Sequence, residues 1–156
     1  MNFQQEKLQR LIRECDRHCL RIHDSAKQMQ AFMPLSTASY LNLSKLQVQI
    51  IDQFLFRFIK LQDSMGERLF KAVLLLLEEE VANKPFIDIL NRLEQLEILS
   101  SADDWRALRD IRNIVAHTYD DEPEEAALAI NKIFSKREDL LFIFQNIKAY
   151  LSNKNV

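Results

Sequence analysis

One glycine and three prolines in 156 residues leave this chain nearly without the residues that build tight turns. A sheet of several strands needs many of them. Their scarcity excludes sandwiches and barrels and predicts an all-α protein. Long apolar runs are also missing. The most apolar run, residues 72–77, falls far short of the ~20 residues that span a bilayer. The start, M-N-F-Q-Q-E-K, is polar and lacks the basic-then-apolar layout of a signal peptide, so the chain is expected in the cytoplasm and off the membrane. A large excess of either charge is absent too: 21 basic against 23 acidic residues give a net charge of −2. Any contact with a polyanion must therefore come from a local basic patch, and such binding would be modest and salt-sensitive.

What is present is a globular composition, 47% apolar and 28% charged, in a chain of a length suited to one domain over residues 1–156. Only two cysteines occur. Cys15, Cys19 and His23 are spaced i, i+4, i+8, as a helical metal site would want. Leu8, Ile12, Cys15, Cys19, Ile22, Ala26, Met29 and Met33 form an apolar seam at alternating spacing, and the thiols fall inside it. The seam predicts core cysteines, with no metal and no cofactor.

The apolar periodicity predicts an antiparallel, up-and-down bundle of about five helices. The first covers about 3–32 and ends before Pro34, with a loop over 33–40. Asn42 or Ser44 caps the second, which runs over about 44–80 with a kink or break at Gly66. Its stretch IIDQFLFRFIKL (50–61) is apolar on nearly every side, which suits a central helix or one shared with a second subunit. A third helix spans about 85–99. A fourth, capped by Ser100 or Ser101, reaches about 118, and a last one spans about 123–152. The acidic run 120–125 places charge at the start of that last helix.

The fourth helix carries the unusual chemistry in R-D-I-R-N-I-V-A-H-T-Y, residues 109–119. On a wheel of 100° per residue, Leu108, Ile111, Ile114, Val115 and Thr118 share one side, expected to be buried. Trp105, Arg109, Arg112, Ala116 and Tyr119 form a second stripe. Asp110, Asn113 and His117 form a third. Arginine offers a planar cation for phosphate and imidazole a neutral-pH acid or base.

RNIVAH resembles the Arg-x4–6-His signature of the higher eukaryotes and prokaryotes nucleotide-binding (HEPN) superfamily, including the polar Asn113 directly after the arginine. RNIVAHTY extends it to Arg-x4-His-x-Tyr, the form found in the HepT toxins of prokaryotic toxin–antitoxin pairs. DDWRALRDIRNIVAHTYDD and FRFIKLQDSMGERLF are also similar to this branch, and the similarity covers most of the chain. The resemblance implies a helical homodimer that brings two copies of the motif into one cleft and cleaves RNA without a metal. Arg112 and His117 are then catalytic, with Asn113 and Arg109 supporting them or binding RNA. Tyr119 is the residue that receives AMP from a partner nucleotidyltransferase antitoxin, which silences the toxin. A second expectation is a non-catalytic substrate-binding subunit for a separate nucleotidyltransferase, because this chain lacks both the nucleotidyltransferase motif and a Gly-rich phosphate loop.

Overall fold

A computed structural model describes residues 2–116 and 121–154. Its described residues are helical and turn throughout, with no strand among them. Helix α1 spans Phe3–Met29, α2 Thr37–Leu41, α3 Lys45–Ser64, α4 Phe70–Leu76, α5 Phe86–Gln95, α6 Ala102–Ala116, α7 Pro123–Ser135 and α8 Arg137–Asn153. None is long and apolar enough to cross a membrane.

The helix starts follow local side-chain chemistry. Asn2 with Gln5, Ser36 with Ser39 and Ser44 with Gln47 each form a reciprocal cap that satisfies otherwise orphaned amides. Ser44, one of the two expected caps, starts α3. The Ser36–Ser39 pair explains why the expected loop over 33–40 contains the short helix α2 instead. Ser101 begins α6, its Oγ accepting from the Asp104 amide at 3.1 Å.

Helix ends must close without glycine. After α4, Glu78 takes φ 61°, and the Glu79 amide reaches back to the Leu74 carbonyl at 2.9 Å. After α5, Glu97 takes φ 60°, and the Ile98 amide bonds the Leu93 carbonyl at 3.0 Å. Both are left-handed C-terminal turns of the kind glycine normally makes, here built on glutamate.

The expected kink or break at Gly66 takes the form of an interruption in α-helical bonding. Met65–Leu69 forms a single π-helical turn, closed by the Phe70 amide on the Met65 carbonyl, and it joins α3 to α4 as one rod. The extra residue keeps Met65, Leu69 and Phe70 all in the core. A larger correction concerns the last helix, which is two. Lys136 takes φ −99°, ψ 2°, ending α7, and Arg137 donates from Nη1 to the Phe134 carbonyl at 2.7 Å. That side-chain bond takes the place of an interrupted helical one.

The helices close around one apolar cluster containing Leu8, Cys15, Phe54, Phe58, Leu74, Trp105, Ile133 and Phe144. Contacts fix relative directions. His18 meets Arg57 while Glu14 meets Arg68, so α1 and the α3–α4 rod run antiparallel. Arg112 meets Asp63 while Trp105 meets Phe70, so α6 is antiparallel to the rod as well. Much of IIDQFLFRFIKL is central, with Ile51, Phe54, Phe58 and Leu61 buried, but Phe56 faces outward. The connection after α1 is pinned by Asn131 of α7. Its Oδ1 accepts from the Leu35 amide at 2.7 Å and its Nδ2 donates to the Leu35 carbonyl at 2.8 Å.

Cys15 is buried, Cys19 is partly buried against the core, and both thiols are free. Burial pushes each thiol up to about 12, which suits packing and not reactivity. His23, the third member of that spacing, is exposed.

Candidate functional site

The π turn brings the rod close to α6. A Cβ on Gly66 would sit 3.1 Å from Cζ2 of Trp105. Trp105 is itself locked edge-on against Phe70, with ring centroids 4.6 Å apart. This contact sets the floor of a cavity of about 320 Å³ between the rod and α6. Arg109, Arg112 and Asn113 line it from α6; Gln62, Asp63, Glu67 and Lys71 line it from the rod. Arg109 and Arg112 of one expected functional stripe and Asn113 of the other thus line one hollow.

Arg112 is the best-placed cation. Its Nη2 donates to Asp63 Oδ2 at 3.2 Å and its Nη1 to Asn113 Oδ1 at 3.3 Å. Its Nε is closed from solvent and has no hydrogen-bond partner. Asp63 therefore orients the guanidinium without using all its donors. Arg109 stacks 5.5 Å from the centroid of the Phe86 ring, a cation–π contact that leaves its N–H edges open. Arg109, Arg112 and Lys71 outnumber Asp63 and Glu67 around the hollow, so it favours an anion.

Two more side chains of this hollow hold unsatisfied polar atoms. Gln62 is 3% exposed, and both its amide oxygen and nitrogen lack partners; the same holds for the indole nitrogen of Trp105. Natively packed proteins leave few such groups, because each costs ~1–3 kcal/mol when unmet. Gln62 and Trp105 line the same hollow as Arg112, although these particular atoms are closed from solvent.

Sequence reasoning located Arg109, Arg112 and Asn113 but missed Gln62 and Asp63. Trp105, expected to head the functional stripe, is only 1% exposed and belongs to the core. Ile114, expected on the buried side, is 55% exposed; the buried face of α6 is Ala102, Trp105, Leu108 and Ile111, rotated toward the rod. His117 and Tyr119 lie outside the described residues.

A second hollow, of about 440 Å³, is lined by the apolar side chains of Leu41, Val48, Ile51, Leu55, Val115 and Ile130 among others, with Asp52 and Tyr40 beside them and a surface about equally polar and apolar. Val115 thus joins the motif's own helix to a surface on which Leu41 and Val48 stay exposed.

Away from both hollows, buried His18 of α1 accepts at Nδ1 from Arg57 Nη1, 3.0 Å away. That bond makes Nε2 the protonated nitrogen of a neutral ring, 3.8 Å from Glu14. Desolvation, aided by the Arg57 charge, holds His18 below its ordinary value of 6.5. Glu14 in turn is held below its ordinary 4.5 by its hydrogen bond from Arg68 at 2.8 Å. Among the described residues no three His, Cys, Asp or Glu side chains are grouped to hold a metal ion.

Comparison of the chain with protein-family models, with curated proteins and with solved structures returns no match.

Proposed function

We propose that the chain is a HepT-like toxin: a homodimeric endoribonuclease that needs no metal and is silenced by AMP transfer to Tyr119 from a partner nucleotidyltransferase antitoxin. The observation that carries this reading is the convergence of Arg109, Arg112 and Asn113 on one cation-rich hollow beside unsatisfied polar groups. It gives physical content to the resemblance of RNIVAHTY to the toxin motif.

The chemistry follows from those residues. An RNA 2′-hydroxyl attacks its adjacent phosphate when a base takes its proton and an acid protonates the leaving 5′-oxygen. One imidazole cannot serve both sides of phosphorus at once, whereas two His117 rings, one from each subunit, can. Arg112, oriented by Asp63, supplies a fixed charge for the phosphoryl oxygens as negative charge builds on them. Asn113 steadies the guanidinium, and Arg109 holds a neighbouring phosphate. The Tyr119 phenol, with an ordinary pKa near ~10, is a poor base at neutral pH. As an AMP acceptor it would bring a phosphate and its bulk into the cleft and repel RNA. The exposed apolar side chains of Leu41 and Val48, beside Val115 of the motif helix, support a dimer.

Expression of the chain in bacteria is the first test. The wild type should arrest growth, and Arg112→Ala or His117→Ala should abolish arrest while leaving the dimer intact by light scattering. Full toxicity in either variant would remove the catalytic assignment. A wild type that binds a nucleotidyltransferase but never arrests growth would favour the non-catalytic subunit.

A further inference from the structure

A third groove lies on the far side of the π turn, along the first half of α1. It has a volume of about 670 Å³ and is lined by Lys7, Arg10, Arg13, Arg17 and Arg68, with Phe3 at one end. Among the described residues the only carboxylate lining it, Glu14, is already engaged by Arg68. Lys7, Arg10, Arg13 and Arg17 are exposed and form no hydrogen bond or ion pair among the described residues. The contrast with Arg68, Arg92, Arg106, Arg112 and Arg137, each paired with an acid, is plain. Like charges three and four residues apart on a helix repel, so α1 carries this arrangement at a cost, in a chain whose net charge is −2.

We propose that this groove is a track for a single-stranded nucleic-acid backbone, separate from the hollow around Arg112. Three features select that ligand. From Lys7 to Arg17 the cations extend about 15 Å along the helix at 1.5 Å per residue, a ladder suited to a repeating anion. Three of the four unpaired cations are arginine, whose fork matches phosphate. Phe3, 71% exposed at the end of the ladder, offers a face on which a base stacks, and a basic groove with an aromatic platform is how single strands are held without sequence preference. A membrane surface fits poorly, because the apolar face of α1 is already spent on the core through Leu8, Leu11, Cys15, Ile22 and Met29. The groove reads phosphates and base faces, so it accepts RNA and DNA alike and holds substrate whether or not the Arg112 site cuts it.

The test is fluorescence anisotropy of labelled uridine and thymidine 12-mers titrated with the whole protein over a series of KCl concentrations. The variants are Arg10→Gln/Arg13→Gln/Arg17→Gln, Phe3→Ala and, as reference, Arg106→Gln, a surface arginine that lines neither site. The triple variant should weaken binding of both oligomers and flatten the plot of log affinity against log salt by about 2, since each lost phosphate contact removes ~0.7. Phe3→Ala should weaken binding about tenfold with the slope unchanged, as a lost stacking contact does. Arg106→Gln should leave binding of both oligomers intact. An unchanged slope in the triple variant, or no oligomer binding by the wild type, would overturn the proposal. Binding to phosphatidylserine vesicles or polyglutamate that the triple variant loses, without oligomer binding, would overturn it in favour of a membrane or an acidic protein. The thymidine arm measures binding without cleavage, so loss of nuclease activity elsewhere does not disturb it.

Discussion

Asp63 is the residue whose role most needs separating from plain stability. Its pair with Arg112 is about one-third exposed on both sides, and pairs that open to water contribute less than ~1 kcal/mol. Asp63→Ala should therefore leave the melting temperature nearly unchanged while lowering cleavage about tenfold, an order of magnitude expected when a phosphate-binding arginine loses its orientation. A large fall in melting temperature, with activity per folded molecule intact, would make Asp63 structural only. His18 gives the opposite kind of prediction. Its burial depresses protonation in the folded state, so the unfolded chain binds the proton more readily, and stability rises with pH until the ring is neutral in both states. Stability contributed by the neutral ring is thus full above pH 6.5 and is lost as pH falls below it. Glu14 works in the same direction lower down, losing its contribution as pH falls below 4.5. Denaturant melts of His18→Gln should lack the upper of these two declines, and an unaltered pH profile would contradict the neutral buried ring. None of these three residues was legible as important in the sequence. Asp63 and Arg112 are 49 positions apart, and His18 and Arg57 are 39 apart. No helical periodicity couples such distant positions.

Among the elements, the scarcity of glycine has a measurable consequence. Glu78 and Glu97 occupy left-handed backbone that costs a side chain ~1–2 kcal/mol and costs glycine almost nothing. Glu78→Gly and Glu97→Gly should each stabilise the protein by about 1 kcal/mol in urea unfolding; destabilisation by either would show that the glutamate side chain itself holds the turn. Gly66 is the reverse case. Its backbone is helical, so alanine gains ~1 kcal/mol in propensity, but its Cβ would press on a tryptophan that Phe70 holds in place. Overpacking of that kind costs ~1–3 kcal/mol. Gly66→Ala should come out net destabilising and also disturb the hollow next to it. Helix starts were readable at Ser44 and Pro123 because capping is local chemistry. The split between α7 and α8 was not, because no proline or glycine marks it and the apolar pattern continues through Lys136. The buried side of α6 was misjudged for a related reason: the wheel ranks apolar residues equally, but packing against the π turn turns Trp105 inward and leaves Ile114 outside.

For the molecule as a whole, an all-helical fold followed from composition, while the cavity that organises the motif did not. Arg109, Arg112 and Asn113 lie on adjacent stripes of one helix, yet their facing partners come from the α3–α4 rod, which lies against Trp105 of α6 at Gly66. The central claim is that this enclosed, cation-rich site cuts RNA. Its most direct test is incubation of the purified, unmodified protein, verified by intact mass, with total cellular RNA in excess EDTA, alongside Arg112→Ala and His117→Ala. Discrete fragments from the wild type and none from either variant are the predicted result. Intact RNA with the wild type, or equal cleavage by the variants, would contradict it.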